Sequence, residues 1–396
     1  MTQIASIPLL VGCPDLSVAS ARRSALEGPA TPEAQRLEEF AVRYGRSYDA
    51  YLATEPGWDY FWSSSRRGVV ATARQGRYLF SSGGLLAPED HQHALLAELV
   101  EHADAHGQVL TFFNIVEEQL PLLRQFGFQA TKWGEEALVD LQECTWSGKS
   151  YEWVRRQTNF CSRHGLVVSE CTRTSMSDAQ WNDTLAEIVE VSELFLAAKP
   201  QSGEMRLLQG GFDPEQLGRK RIFIARADGG SGRIEGFLAC NPCRNGRTWV
   251  METYRHRPDA VRGTIPFTMH RAMQIMQAEG VRQASLCLLP GLRCNEPLPG
   301  DSAMVRWGLA IGTGRFNPAF ETTGTYHFKT RFRPRFENRY LCVRPRMTLG
   351  AAWAFIRLLG VLRLDPAKLY QLTVARWKKR ASRATLRTPQ DGPGRE

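Results

Sequence analysis

Two charged side chains, Glu252 and Arg255, lie three residues apart where a buried strand predicted over 249–253 runs into a loop. Gly263 lies at the end of that loop, and the apolar spacing after it predicts a helix over 265–279. A Gly-containing loop before a helix N-terminus presents unpaired backbone N–H groups, to which an anionic group can dock. The two side chains can therefore converge on a substrate, although a surface ion pair beside an ordinary turn has the same spacing.

The charge of the chain is concentrated at its C-terminal end. The 396 residues have a net charge of +9, and residues 346–396 contain 11 Lys or Arg against 3 Asp or Glu, which is +8. A chain of this length suggests two domains, so a nearly neutral body precedes a basic tail. The tail indicates phosphate partners, either lipid headgroups or nucleic acid, although solvated charge alone gives the same composition.

Neither the apolar runs nor the cysteines indicate a specialised environment. No apolar run reaches the roughly 18 residues that span a bilayer, so we expect a cytoplasmic chain. Of nine scattered cysteines, only Cys240 and Cys243 have ligand-like spacing, and no second pair completes a zinc site. The sequence therefore predicts no metal site and leaves a redox role for that pair open.

The predicted elements follow one plan twice, which indicates a duplicated domain. The first set has strands over 68–73, 77–82, 109–115 and 137–141, with helices over 88–106 and 120–127. The second set has strands over 221–226, 234–240, 249–253 and 283–289, with a helix over 266–279. Further helices are predicted over 32–48, with Thr31 as the N-cap, and over 150–164 and 178–197. We expect an α/β (α+β) fold with domains over 1–148 and 149–345 and a basic helical tail over 346–396.

The first set has the order of the second half of a GNAT acyltransferase domain, and an ordered series of motifs carries a closer resemblance. The chain resembles the soluble C-terminal domain of the phosphatidylglycerol lysyltransferase (multiple peptide resistance factor) family, which has a tandem GNAT fold. The matching segments are Gly127-Phe128, Gly134-Glu-Glu-Ala-Leu-Val-Asp-Leu141, Gly148-Lys149 with Arg155 and Asn159, Gly211-Phe-Asp213, residues 252–263 and residues 328–341. Together they cover about residues 60–341 in the family's order.

The resemblance implies transfer of an amino acid from aminoacyl-tRNA to a lipid hydroxyl such as that of phosphatidylglycerol. It implies no cofactor other than aminoacyl-tRNA as co-substrate, an anionic membrane lipid as partner, no stable protein partner and a place at the inner face of the membrane. Carried over by position, the catalytic residues are Glu252, Arg255 and Lys329, and the substrate-binding residues are Arg257, Gly263, Arg331 and Arg339. In this interpretation Glu252 holds the α-ammonium of the aminoacyl group. Arg255 orients that carboxylate or the ester, and Lys329 lies near the terminal phosphates of the tRNA or the developing oxyanion.

The sequence departs from the family's pattern at two positions, and two rival functions also fit it. Glu stands at 252 where the family has Asp, and Arg stands at 331 where it has Lys, which leaves the identity of the amino acid open. One rival is an acyl-CoA acyltransferase whose 257–263 loop holds a pyrophosphate, although that loop has only one glycine. The other is a lipid- or RNA-binding module without chemistry. Residues 329 and 331 also fit an exposed edge strand.

The tail contains two candidate helices within residues 347–381. The first runs through Ala351, Trp353, Phe355, Ile356, Leu359 and Val361. The second runs through Leu369, Tyr370, Leu372, Val374 and Trp377 and ends in Lys378-Lys-Arg380. Apolar residues flanked by basic ones are typical of interfacial helices. We therefore expect the tail to bind anionic lipid, unless its apolar faces pack on the second domain.

Overall fold

A computed structural model describes residues 31–198, 212–314 and 322–358, in which eleven strands form one sheet. In chain order the strands are β1 (Asp59–Trp62), β2 (Val69–Gln75), β3 (Tyr78–Leu86), β4 (Val109–Ile115), β5 (Gln129–Asp140), β6 (Val167–Cys171), β7 (Arg221–Arg226), β8 (Ile234–Cys243), β9 (Thr248–His256), β10 (Gln283–Pro290) and β11 (Arg335–Arg344). Across the sheet their order is β1-β2-β3-β4-β11-β5-β10-β9-β8-β7-β6.

Nine helices in the described residues pack on this sheet. They are α1 (Pro32–Tyr44), α2 (Glu89–Ala105), α3 (Leu120–Gln125), α4 (Glu152–Arg163), α5 (Asp178–Ala197), α6 (Thr264–Ala278), α7 (Ala303–Gly314), α8 (Thr322–Thr330) and α9 (Leu349–Leu358). The predicted N-cap of α1 is confirmed, because the side chain of Thr31 accepts a hydrogen bond from the backbone of Ala34. Ser177 and Gln180 form a capping box at the start of α5. None of the described helices combines the length and the apolarity that crossing a bilayer requires.

The two predicted units are visible as a repeated strand pattern. In the first unit β2 and β3 are antiparallel and β3 and β4 are parallel, and in the second β8 and β9 are antiparallel and β9 and β10 are parallel. Each parallel pair is short. β3 and β4 pair only up to Ser81 and Phe112, and β9 and β10 only up to Val250 and Ser285. Beyond those residues the strands continue unpaired with each other, and we call these two openings the first splay and the second splay.

A β-bulge accompanies each splay. Asn114 in β4 has φ 62° and lies where the register with β11 shifts. Cys287 in β10 has φ 64° and lies where the register with β5 shifts. A left-handed conformation is uncommon for residues other than glycine and clusters at functional sites and turns. The two units therefore share a backbone feature that their sequences do not show.

The C-terminal part of the chain closes the middle of the sheet. β11 lies between β4 and β5, although its residues follow the whole second set of elements. Its pairing with β5 runs from Arg335 opposite Leu138 to Val343 opposite Gln129. One continuous sheet thus joins the two halves, and the predicted boundaries at residues 148 and 345 stay a prediction.

The start of the predicted tail belongs partly to the core. Phe355 of α9 is buried, and its ring centroid lies 5.6 Å from that of Phe80 and 5.8 Å from that of Trp133. Ala351 is buried as well, whereas Trp353 remains 55% exposed. The expectation that the apolar residues of this helix face lipid is therefore wrong for Ala351 and Phe355, which pack on the body of the protein as the alternative expected. Leu359 and Val361 lie outside the described residues. The second tail helix and Lys378-Lys-Arg380 lie outside the described residues.

Candidate functional site

A bulge in β9 places Glu252 and Arg255 on the same face of the sheet. Ala239 of β8 opposes Thr253 and Cys240 opposes Met251, so Glu252 is an extra residue. In a regular strand, residues three apart point to opposite faces. The carboxylate of Glu252 reaches Asn241, on the same face of β8 as Phe237, and Phe237 opposes Arg255. Both side chains are buried, so the interpretation as a surface ion pair is wrong.

The carboxylate of Glu252 belongs to a buried polar network. One of its oxygens, Oε2, accepts from Lys220 Nζ at 3.1 Å and from Asn241 Nδ2 at 2.7 Å. Lys220 also donates to Glu55 at 2.6 Å, and both carboxylates raise the pKa of this lysine. Burial raises the pKa of Glu252, while the nearby Lys220 opposes that change. The charge on Glu252 therefore depends on the cations that surround it.

Two oxygen atoms in this network have no donor. In the described part of the chain, Glu252 Oε1 and Asn241 Oδ1 are both buried without a hydrogen-bond partner. Leaving a buried acceptor unsatisfied costs about 1–3 kcal/mol. The two side chains are joined by the hydrogen bond above, so the free acceptors belong to neighbouring groups. Such a pair is suited to a ligand that brings several N–H donors.

Lys329 fills the second splay. Its Nζ donates to the backbone carbonyls of Cys287 at 3.2 Å and Leu288 at 3.0 Å, both in the part of β10 that does not pair with β9. No carboxylate of the described residues forms an ion pair with this lysine, and burial lowers its pKa to about 8. An amine held this way has one more hydrogen-bonding position for a substrate. Lys329 lies on α8, so the alternative of an exposed edge strand is wrong for it.

The thiol of Cys287 is influenced by several charged groups. Burial raises the pKa of its thiol, Lys329 lowers it, and the charges of Glu252, Glu136 and Asp49 raise it further. Burial also raises the pKa of Tyr48, with contributions from Asp49, Cys287 and Glu136. We call Tyr48, Glu136, Glu252, Cys287 and Lys329 the polar centre. Its protonated thiol and phenol leave Lys329 and the carboxylates as the groups that can carry charge.

The first splay is filled differently. The carboxylate of Asp49, fully buried, accepts from Ser47 and Ser82, from the backbone of Gly83 at 3.1 Å and from Asn114 Nδ2 at 2.8 Å. Asn114 in turn accepts from the indole of Trp133 at 2.9 Å. Burial raises the pKa of Asp49, and these hydrogen bonds oppose the change. Asp49 is thus a satisfied structural group.

Arg255 and Arg257 contact α5. The guanidinium of Arg255 donates to Ser192 and lies 4.8 Å from the ring centroid of Phe212. Arg257 binds both oxygens of Glu190, at 2.9 and 2.7 Å, and donates to the carbonyl of Ile234. The side chain of Arg257 is therefore already used within the protein.

Gly263 is the N-cap of α6, with φ 97°. A Cβ at this position would lie 2.6 Å from Gln157 Oε1 and 3.4 Å from Cys161 Sγ, both on α4. Glycine is therefore needed for the backbone angle and for the close approach of α4. The approach of α4 also places side chains against the helix N-terminus that was expected to bind an anion.

The remaining two predicted residues lie apart. Arg331 is exposed, with its guanidinium 5.7 Å from the ring centroid of Trp153. Arg339 is buried and forms ion pairs with Glu136 and Glu337. Arg339 thus anchors Glu136 of the polar centre from β11, and its role in substrate binding stays a prediction.

The side chains of Cys240 and Cys243 do not lie together as a ligand or redox pair. They lie three apart on β8 and belong to different hydrophobic clusters, one with Trp249 and the other with Val250. Burial raises the pKa of Cys243 to about 12. Among the described residues, no group of three or more His, Cys, Asp or Glu side chains is arranged to hold a metal ion.

The sequence pattern did not indicate five residues of this region: Lys220, Asn241, Glu55, Tyr48 and Cys287. The only available signal was polarity in otherwise apolar strands, as at Asn241 in β8. Such a residue indicates a buried polar contact without naming its partner.

Comparison with known proteins matches most of the chain to one protein family. The family model described as the C-terminal part of phosphatidylglycerol lysyltransferase matches residues 39–343. The phosphatidylglycerol lysyltransferase of Bacillus subtilis (strain 168) is 24% identical over 335 residues, which is 84% of this chain and 37% of the relative. The enzyme of the same name from Staphylococcus haemolyticus (strain JCSC1435) is 21% identical over 336 residues, or 83% and 37%. The chain therefore spans less than two-fifths of the length of these relatives.

Solved structures show the same fold. The C-terminal domain (DUF2156) of a candidate lysylphosphatidylglycerol synthetase from Agrobacterium fabrum has a TM-score of 0.69 and 24% identity, covering 82% of this chain and 95% of that one. L-PGS from Bacillus licheniformis has a TM-score of 0.64 and 22% identity, covering 88% and 98%. With the repeated strand pattern, these similarities confirm the expected α/β fold, which is built from two similar units.

Proposed function

Because the chain belongs to the phosphatidylglycerol lysyltransferase C-terminal family, we propose that it transfers an amino acid from aminoacyl-tRNA to a hydroxyl of phosphatidylglycerol or a similar lipid. The observation that carries the proposal is the pair of buried, unsatisfied acceptors on Glu252 and Asn241. The α-ammonium of an aminoacyl group has three N–H donors and a positive charge, so it satisfies both acceptors and favours the ionised form of Glu252.

Lys329 supplies the second part of the proposed chemistry. The aminoacyl ester is already activated, so the enzyme mainly has to position two reactants and stabilise the negative charge that develops on the carbonyl oxygen. When protonated, Lys329 uses two N–H groups on the carbonyls of Cys287 and Leu288. The third N–H then donates to the developing oxyanion while the lipid hydroxyl oxygen forms the new ester bond. The ester bond to the ribose breaks, and the proton of the lipid hydroxyl passes to the ribose oxygen that leaves.

The acyl-CoA alternative has less support. It needs the 257–263 loop to hold a pyrophosphate at the N-terminus of α6. Arg257 is instead bound to Glu190, and Gln157 and Cys161 of α4 approach Gly263 closely. The available donors at this helix end are thus reduced by the protein's own contacts.

Lipid binding is proposed for the outer face of α9. Leu349 is 79%, Trp353 55% and Ile356 37% exposed, and the exposed Arg346 and Arg357 flank this face. Aromatic and aliphatic side chains between basic ones suit the interface of an anionic membrane. In this proposal the chain lies at the inner face of the membrane. Truncation after Leu358, which keeps Phe355 in the core, should weaken co-sedimentation with phosphatidylglycerol vesicles, and Trp353→Ser should weaken it further.

A direct test of the function follows the amino acid. Incubation of the protein with phosphatidylglycerol vesicles and tRNA charged with labelled amino acids should move label into the lipid extract. Expression in a bacterium without an aminoacyl-lipid synthase should produce new ninhydrin-positive lipids in mass spectrometry. Release of coenzyme A from an acyl-CoA would instead support the acyltransferase, and binding without turnover would support a module without chemistry.

A further inference from the structure

Five arginines surround one cavity away from the polar centre. The cavity has a volume of about 440 Å³ and is lined by Arg43, Arg46, Arg244, Arg247 and Arg282, with no Asp or Glu in its lining. The arginines come from three places in the chain: the end of α1, the turn between β8 and β9, and the residue before β10. We call this site the arginine cavity.

Few carboxylates neutralise these arginines. Arg43 lies 3.8 Å from Glu39 and Arg46 lies 4.0 Å from Glu89, in pairs where both side chains are largely exposed. Such exposed pairs contribute little. Arg244 forms a closer pair with Glu337, at 3.2 Å. Among the described contacts, the side chains of Arg247 and Arg282 have no acidic partner, so the cavity keeps a positive charge.

Backbone hydrogen bonds hold the three segments in place. Arg244 N donates to Gly45 O at 3.2 Å and Asn245 N to Val42 O at 2.8 Å, which joins the β8–β9 turn to the end of α1. Arg282 N and Gln283 N both donate to Arg247 O at 3.1 Å. The arginines are therefore gathered by a fixed backbone although like charges repel one another. An anion in the cavity relieves that repulsion.

The shape and lining favour a phosphodiester backbone over a membrane. Guanidinium groups bind phosphate oxygens in pairs of hydrogen bonds. The volume of about 440 Å³ is more than one phosphate needs. Its lining contains no large apolar side chain, whereas the exposed large apolar side chains of the described residues lie elsewhere, on β1, α4, β6, α5, α7 and α9. Binding to a lipid surface requires apolar side chains as well as positive charges, whereas binding to a nucleic acid backbone requires only the positive charges.

The arginine cavity and the polar centre are linked along the chain, although they are separate in space. The segment that supplies Arg43, Gly45 and Arg46 continues directly into Tyr48 and Asp49. Thr248 and Gln283, at the starts of β9 and β10, line the cavity, and Glu252 follows four residues later along β9. Four residues of strand span about 13 Å. A polynucleotide held by the arginines is thus within a short distance of the proposed ammonium site.

We propose that the arginine cavity binds the phosphate backbone of the tRNA near its aminoacylated end. This inference rests on the proposed function for the identity of the RNA. The cavity fixes the RNA through its phosphates, so it contributes affinity without reading the base sequence.

The test uses fluorescein-labelled deacylated tRNA, whose binding needs no chemistry. For the Arg247→Gln/Arg282→Gln double variant we expect tenfold or greater loss of affinity by fluorescence anisotropy. The slope of log affinity against log salt, between 50 and 200 mM, should fall by about two. The Arg247→Lys/Arg282→Lys variant keeps the charges and should recover most of the affinity. Arg74→Gln/Arg124→Gln, which removes two exposed arginines of the first unit, serves as matched control and should bind like the unaltered protein.

The possible outcomes separate the inference from the proposed function. An unchanged tRNA affinity in the double variant, or loss of binding to phosphatidylglycerol vesicles in place of tRNA, overturns the inference. Absence of tRNA binding by the unaltered protein overturns it as well. If the arginines govern tRNA binding but no aminoacyl lipid forms, the inference stands and the proposed function fails. If aminoacyl lipid forms equally in both proteins at subsaturating tRNA, the function stands and the inference fails.

Discussion

In the first splay one carboxylate is held by four donors, whereas in the second splay a lysine and a glutamate keep unused hydrogen-bonding capacity. Both openings follow a short parallel pair, and both contain a bulge with a left-handed residue, Asn114 or Cys287. Asp49 uses its acceptors within the first unit. Among the described residues, Glu252 Oε1 has no donor, and Lys329 Nζ donates to the carbonyls of Cys287 and Leu288.

The difference shows how the two halves of a duplicated fold can serve different purposes. The same backbone opening serves packing when the chain satisfies every polar group in it. It becomes a candidate site when buried groups are left for a ligand to satisfy. The four predictions below test this contrast between the two splays.

The largest effect is expected for Glu252→Gln, which should abolish transfer while the fold is kept. The glutamine oxygen can still accept from Lys220 and Asn241, and its amide NH₂ takes the place of the oxygen that has no donor. A donor then faces the ammonium of the substrate. Rates of label transfer to lipid and thermal melts measure the two effects.

The matched control for this change is Glu55→Gln, because it also leaves Lys220 with one fewer carboxylate. Glu55→Gln should retain most of the transfer activity. Equal losses of activity in the two variants would mean that the charge of the network matters and that Glu252 has no special role.

Next in size is the effect of Lys329→Met, which should reduce transfer by about 10²–10³-fold, as for loss of one oxyanion donor. Its folded-state pKa of about 8 lies below the usual 10.5. Between those values the unfolded chain binds more protons, so the free energy of unfolding of the unaltered protein should rise with pH relative to the variant. The rise is at most about 3 kcal/mol, and urea titrations from pH 7.5 to 10 can measure it.

Lys149→Met, which removes an exposed lysine, controls for the loss of one positive charge in that series. A difference between unaltered protein and Lys329→Met that stays constant with pH would show that Lys329 keeps its proton on folding.

A smaller effect, on stability alone, is expected in the first splay. Asp49→Asn should lower the free energy of unfolding by about 1–3 kcal/mol, because its NH₂ meets donors from Gly83 and Asn114. Transfer per folded molecule should stay unchanged. A variant that melts normally but has lost transfer would show that Asp49 takes part in the reaction. The contrast between the two splays would then not hold.

The smallest effect is expected for Arg331→Gln. An exposed cation–π contact such as that of Arg331 with Trp153 contributes about 0.5–1 kcal/mol to stability. If Arg331 also binds tRNA, the KM for charged tRNA should rise with little change in kcat. A fall in kcat alone would place Arg331 nearer to the second splay than its exposure suggests.

The sequence predicted most elements of the fold. The strands over 109–115 and 221–226 and the helix over 178–197 have the predicted bounds, because their hydrophobic periods are uninterrupted. It did not predict that β11 lies between β4 and β5, since pairing between distant strands leaves no local pattern. Nor did it predict α8, where alternating charged and aromatic residues suggested a strand.

The sequence identified residues of the candidate site but did not show how they are arranged in space. Glu252 and Arg255 were identified together, yet only an extra residue in β9 puts them on one face. Lys220 and Glu55 are distant in sequence from Glu252 and meet it only after the sheet has formed. Spacing along a chain cannot report such contacts, and it gives no measure of the burial that changes the pKa of Lys329.

The place of β11 has a consequence for how the protein is made. On the ribosome, β4 and β5 emerge about 200 residues before the strand that pairs with both of them. Until then the first unit has two unpaired strand edges at its centre, which are prone to pairing with other chains. The first unit therefore cannot finish folding while it is being synthesised, and both halves reach their final structure together once residue 344 has left the exit tunnel.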